Sequence, residues 1–209
     1  MNKWVAVDGF FASKLVVPEH IAAAQRLCDA RKIPQIQVPP YLGRFLNILA
    51  PAACRVLEVG TLGGVSALWL AERGRHVTTL EINEQNAKVA AENFRGREQS
   101  IDLLVGDAKR VLPTLGPSGG WDFMFVDADK GANALYLEQG LRLVRPGGAI
   151  VVDNVVRGGG VVDSDNAAAV GTRAMFDLLE KRGDVLEWTV LQTVCAKGHD
   201  GICVIQLKQ

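Results

Sequence analysis

The residues of this sequence best suited to chemistry fall in two short acidic runs. Asp127-Ala128-Asp129-Lys130 follows the apolar run 123–126, and Asp153-Asn154 follows the apolar run 149–152. Asp127, Asp153 and Asn154 offer two carboxylates and an amide oxygen, with no thiolate or imidazole beside them in sequence. Such donors favour a hard divalent cation, Mg²⁺ first, with Ca²⁺ or Mn²⁺ also possible. Each residue has a plainer reading. Asp and Asn cap helices, and a lysine such as Lys130 at a helix start commonly faces solvent. The metal reading gains because three oxygen donors end two strands that a doubly wound sheet sets side by side, where ligands bind.

A second group lies at residues 55–66, Arg-Val-Leu-Glu-Val-Gly-Thr-Leu-Gly-Gly-Val-Ser, which reads as strand, glycine turn and helix start. Glycines there can take φ > 0 and let the backbone approach a ligand closely. The spacing G-x-x-G-G fails the dinucleotide pattern G-x-G-x-x-G. Glu58 adds negative charge near the turn, which suits an ammonium and a sulfonium better than a pyrophosphate. Glu81 closes the next apolar run, about 20 residues on, where an acid can accept from both ribose hydroxyls. The pair points to S-adenosylmethionine, whereas Glu-x-Gly alone reads more simply as a tight turn.

At 209 residues, 48% apolar and 22% charged, the chain suits one compact domain. We expect a single domain over 1–209, with a helical cap segment at 1–50 and an α/β cofactor-binding core at 51–209. Lys plus Arg (23) equals Asp plus Glu (23), so no global field draws the protein to nucleic acid or anionic lipid. The four cysteines show neither C-x-x-C nor metal-ligand spacing, which predicts reduced thiols and a cytoplasmic protein. Asp8 and Lys14 interrupt the N-terminal apolar stretch, so no signal peptide is expected, and no run approaches bilayer length.

The elements that must position these groups alternate. Strands are predicted at 55–59, 76–80, 101–105, 123–126 and 149–152, and helices at 65–72, 84–94, 108–115, 133–144 and 166–182. This alternation argues for a Rossmann-like, doubly wound parallel sheet with helices on both faces. Pro146-Gly147-Gly148 should separate the fourth helix from the fifth strand. Two last strands, 186–193 and 201–207, share a turn-rich link and should run antiparallel. Ahead of the sheet, helices are predicted at 20–30, after Pro18, and at 41–49, after Pro39-Pro40; they either cap one end of the sheet or pack on its flank.

Six blocks carry a family resemblance: residues 57–64 (Leu-Glu-Val-Gly-Thr-Leu-Gly-Gly), 79–82 (Thr-Leu-Glu-Ile), 106–108 (Gly-Asp-Ala), 125–130 (Phe-Val-Asp-Ala-Asp-Lys), 145–148 (Arg-Pro-Gly-Gly) and 153–155 (Asp-Asn-Val). Together they resemble the metal-dependent, class I S-adenosylmethionine O-methyltransferases of the catechol and caffeoyl-CoA type, in particular their small bacterial members. The likeness runs from about Trp4 to the C-terminus. It implies a seven-stranded sheet whose last strand is antiparallel. By matched position it implies that Glu58, Gly60, Gly64 and Ser66 line the methionine end of the cofactor, Glu81 its ribose, and Asp107 with Ala108 its adenine edge. Val38 would touch the cofactor from the cap. Asp127, Asp153 and Asn154 match the metal ligands; Asp127 also borders the cofactor and shares the catalytic role with Lys130, the matched general base. The implied acceptor is a hydroxyl of a small catechol-like or hydroxycinnamoyl compound, and the implied assembly is a homodimer.

The sequence departs from that pattern at Val65, where many members carry tyrosine, and at Arg157, where many carry tryptophan. Arg157 either meets an acidic substrate group or faces solvent. His76 opens a strand and reads as structural, and His199 as an exposed turn residue on the ligand side. Val38-Pro39-Pro40-Tyr41 resembles the Pro-Pro-Tyr of amino-methylating nucleic-acid enzymes but precedes the first strand and lacks the polar residue before it. Substrate choice should lie in residues 1–50, 157–166 and 195–200. The competing readings are a nicotinamide-dependent oxidoreductase and a non-catalytic S-adenosylmethionine-binding protein.

Overall fold

The computed structural model describes residues 3–195 and 197–209. The chain divides into two compact units, residues 9–108 and residues 1–8 with 109–209. Helix α1 (Lys3–Ala12), absent from the sequence-based expectation, buries none of its residues. Its apolar side chains fall on every face, so no stripe announces it.

In the unit 9–108, α2 (Glu19–Ala30) begins just after Pro18, and α3 (Pro40–Leu49) takes Pro40 as its first residue, where a missing N–H costs nothing. Helix α2 lies against α4 (Val65–Ala71) and α5 (Glu84–Asn93), and α3 lies against α4. Strands β1 (Arg55–Val59), β2 (His76–Glu81) and β3 (Ile101–Val105) pair in parallel. Arg75, only 1% exposed, locks this unit. Its guanidinium donates to the carbonyls of Asn47 and Ala50 at the end of α3, of Leu70 and Glu72 at the end of α4, and of Pro51. Those are carbonyls that a helix terminus leaves without intrahelical partners.

Helix α6 (Ala108–Val111) gives way to a 3₁₀ turn at Leu112–Thr114, short of the predicted 108–115, since Pro113 has no N–H with which to continue it. Strand β4 (Trp121–Val126) is followed by α7 (Asn133–Leu143) and by β5 (Val144–Asp153), which pairs with β4 in parallel. Here Pro146-Gly147-Gly148 lies within β5 and does not precede it. A register shift absorbs these residues, since Trp121 pairs with Val144 but Phe123 with Ala149; bulges are where a sheet tolerates Pro and Gly.

After the short α8 (Gly160–Asp163) comes α9 (Ala167–Lys181), and then the hairpin of β6 (Leu186–Cys195) and β7 (Gly198–Leu207). Its ladder continues to the pair Cys195–Gly198, so most of the predicted link is strand; Ala196, within that link, lies outside the described residues. Among the described residues the seven strands form one sheet in the order β3-β2-β1-β4-β5-β7-β6, with β7 antiparallel to both neighbours and helices on both sides. No described helix is long and apolar enough to cross a membrane.

Two packing details set up the site. Val151, Val152, Cys203 and Ile205 fill the β5–β7 contact, and burial pushes the Cys203 thiol up to about 12. Gly171 on α9 faces the backbone of Gly131 so closely that a Cβ there would collide with its carbonyl. Helix α9 can therefore rest directly on the turn that carries Lys130.

Candidate active site

The parallel pairing sets Val126 beside Val152, so Asp127 and Asp153-Asn154 leave adjacent strand ends. Asp153 is 7% exposed. Burial, and after it the negative charge of Asp127, pushes its carboxyl up to about 7, while Lys130 and the Asn154 N–H pull the other way and Asp200 adds to the rise. Lys130, also 7% exposed, donates from Nζ to Asp127 Oδ1 at 2.7 Å. It opens a 3₁₀ turn at Lys130–Ala132 that Asp129 caps by accepting the Gly131 N–H at 3.0 Å. Asp129 also holds Lys109 at 3.4 Å.

Asn154 has φ 58°, a left-handed conformation that Asn tolerates better than most residues. Its backbone N–H donates to Asp153 Oδ1 at 2.7 Å, and its Nδ2 donates to Asp200 Oδ2 at 3.1 Å. Among the described residues no group of three His, Cys, Asp or Glu side chains is arranged to hold a metal ion. What the strand ends provide is two carboxylates and one amide oxygen. Oxygen-only donors, excess negative charge and a desolvated carboxylate suit a hard divalent cation.

The glycine turn is the other group. Gly60 (φ 98°), Leu62 (φ 50°) and Gly64 (φ 87°) are all left-handed. The Leu62 N–H donates to Glu81 Oε2 at 2.7 Å and the Asn83 N–H to Oε1 at 2.8 Å. Glu81 thus braces the turn from the end of β2 and keeps a further lone pair on each oxygen. Glu58 is fully buried and accepts the Thr79 hydroxyl at 2.5 Å, with Thr61 Oγ1 a further 2.6 Å from Thr79. The Gly63 carbonyl accepts Asn93 Nδ2 at 2.8 Å, and Gly64 stands against the Phe94 ring. Ser66 lies in the first turn of α4, and the β2–β3 register carries Asp107 and Ala108 past the end of β3, just beyond the strand position paired with Glu81.

Val38 is buried and lines, with Val17, Ile21, Val65 and Trp69, an apolar cavity of about 230 Å³. Of the remaining candidates, His76 pairs with Asp102 at 3.6 Å, His199 with Gln192 at 2.7 Å, and Arg157 is exposed. Sequence reading missed Thr79, the link between Glu58 and Thr61, and Asp200. Only the position of Asp200 inside the turn-rich link 195–201 hinted at it.

A family model described as O-methyltransferase matches residues 15–205. The chain belongs to the O-methyltransferase family. This O-methyltransferase is 43% identical over 208 residues to the catechol O-methyltransferase of Mycobacterium tuberculosis, covering 95% of this chain and 93% of that one. Its fold superposes with a TM-score of 0.91 on the O-methyltransferase from Bacillus cereus in complex with SAH, at 33% identity and 98% of each chain. The score is again 0.91 for TomG, an O-methyltransferase from Streptomyces achromogenes involved in tomaymycin synthesis, in complex with SAM, at 35% identity over 100% of each chain. The acidic strand ends and the glycine turn of this O-methyltransferase both fall within the matched span. Membership of this enzyme family replaces the nicotinamide-dependent and non-catalytic readings.

Proposed function

We propose that the enzyme transfers the methyl group of S-adenosylmethionine to one hydroxyl of a small catechol-like or hydroxycinnamoyl acceptor, with Mg²⁺ or a similar cation held by Asp127, Asp153 and Asn154. One observation carries the reading: the buried Asp153 carboxylate beside the charge of Asp127 at two paired strand ends. The cofactor is supported by the SAH and SAM in the Bacillus and Streptomyces structures, and the acceptor by the name of the mycobacterial relative.

Glu81, fixed by two N–H groups, accepts the ribose hydroxyls, while Glu58 supplies negative charge under the turn for the ammonium and sulfonium. A bound cation would supply Lewis acidity and a template for adjacent hydroxyls whose ordinary pKa is about 10. Lys130 Nζ, held at Asp127, takes the acceptor proton. The acceptor oxygen then bonds to the methyl carbon as the carbon–sulfur bond breaks, and its electron pair returns to sulfur, a displacement that depends on alignment.

The test is a methyl-transfer screen over catechols and hydroxycinnamoyl esters with and without EDTA. Asp153→Ala should abolish the EDTA-sensitive turnover and leave calorimetric S-adenosylmethionine affinity within about twofold, as expected when only a metal ligand is lost. Turnover that ignores EDTA, or survives in the variant, rejects the metal role. A homodimer is proposed on the family likeness alone; a purely monomeric sedimentation equilibrium rejects it.

A further inference from the structure

We infer that Asp200 is a positioning residue: it turns the Asn154 amide so that oxygen, and not nitrogen, faces the cation site, and it holds the turn on which Asn154 sits. The inference rests on the reading of Asp127, Asp153 and Asn154 as ligands. Antiparallel register pairs Asp153 with Ile202, which brings Asp200 to the end of β5. A carboxylate can only accept hydrogen bonds. The Asn154 atom 3.1 Å from Asp200 Oδ2 is therefore the amide nitrogen, and the oxygen is on the opposite side of the group.

The other carboxylate oxygen is equally committed. Asp200 Oδ1 accepts the backbone N–H groups of Val156 (3.2 Å), Arg157 (2.9 Å) and Gly201 (2.9 Å). These bonds close a turn with two left-handed non-glycine residues, Asn154 (φ 58°) and Arg157 (φ 52°), a conformation that Arg157 in particular adopts only at a cost. No other side chain type offers three acceptances on one oxygen and an accept-only partner for an amide on the other at this size. An amide nitrogen has no lone pair for a cation, so the orientation of Asn154 decides whether it can ligate.

Mn²⁺ titration of the metal-free enzyme, with free Mn²⁺ read by electron paramagnetic resonance, tests this without reference to turnover. In Asp200→Asn the new Oδ1 can keep the three N–H groups, but its NH₂ must donate, which turns the Asn154 nitrogen toward the site. Mn²⁺ affinity should fall roughly ten- to hundredfold, the usual cost of losing such an orienting partner, while the melting temperature of the metal-free protein barely moves. The reciprocal pair Asn154→Asp with Asp200→Asn restores an acceptor facing a donor and should recover the affinity. Unchanged Mn²⁺ binding in Asp200→Asn, or a folded double variant that binds no better than the single one, overturns the inference. A wild-type enzyme that takes up no Mn²⁺ overturns the metal reading itself, and this inference with it.

Discussion

Buried carboxylates need compensation, and the acids of this enzyme find it differently. Glu81 has two backbone donors, Asp200 three and an amide, whereas Asp153 has one N–H and a like charge opposite. The first two are settled by donors, and the third is the group that the proposed cation would complete. Glu81→Ala should therefore act on cofactor and not on metal: calorimetric S-adenosylmethionine affinity should drop roughly 10²- to 10⁴-fold, as expected for two hydrogen bonds to a charged group worth about 1.5–3 kcal/mol each, with Mn²⁺ binding unchanged. Asp127, Asp153, Asn154 and Glu81 were legible because each follows or ends an apolar run, a local signal. Asp200 and Thr79 were not, since their partners come from register between distant segments.

At the scale of elements, the contact of α9 with the turn after β4 is the most exposed to change. Alanine is a better helix former than glycine by roughly 0.5–1 kcal/mol, so Gly171→Ala on an open helix would stabilise. Here the Cβ would strike the Gly131 carbonyl, and overpacking of this kind costs about 1–3 kcal/mol. The variant should thus unfold at lower urea and lose kcat through displaced Lys130, with cofactor affinity retained. Element types were largely readable, and the misses have two causes, one local and one tertiary. Pro113 shortened a helix, Pro146-Gly147-Gly148 was absorbed by a bulge, and pairing with β6 drew His199 and Asp200 into strand. Local propensity points one way in each of the last two, and tertiary pairing decides otherwise.

For the whole molecule, the centre of the β5-β7-β6 region makes an alkaline limit. Cys203 keeps its proton in the folded chain to about 12, against an ordinary 9.0. Below that ordinary value both states hold the proton and stability is unaffected. As pH rises above it, the unfolded chain gains by ionising while the folded chain cannot, so stability falls by roughly 1.4 kcal/mol per pH unit until the folded value is reached. Urea denaturation at pH 8 and 10 should show this loss in the wild type and a smaller one in Cys203→Ala, where the Cys28 thiol, also pushed up by burial, still contributes. The doubly wound pattern was legible from alternation alone and the antiparallel last strand through resemblance, but the insertion of β7 between β5 and β6 depends on pairing that no local pattern carries.

That insertion also fixes an order of events. Residues 186–195 can join the sheet only through 198–207, because β7 stands between them and β5. A ribosome making this protein must hold β6 out as a loose ribbon, Trp188 and Leu191 included, until the following strand has emerged. Asp200 arrives on that same strand, so the turn that it closes around Asn154 cannot form until β7 has been made.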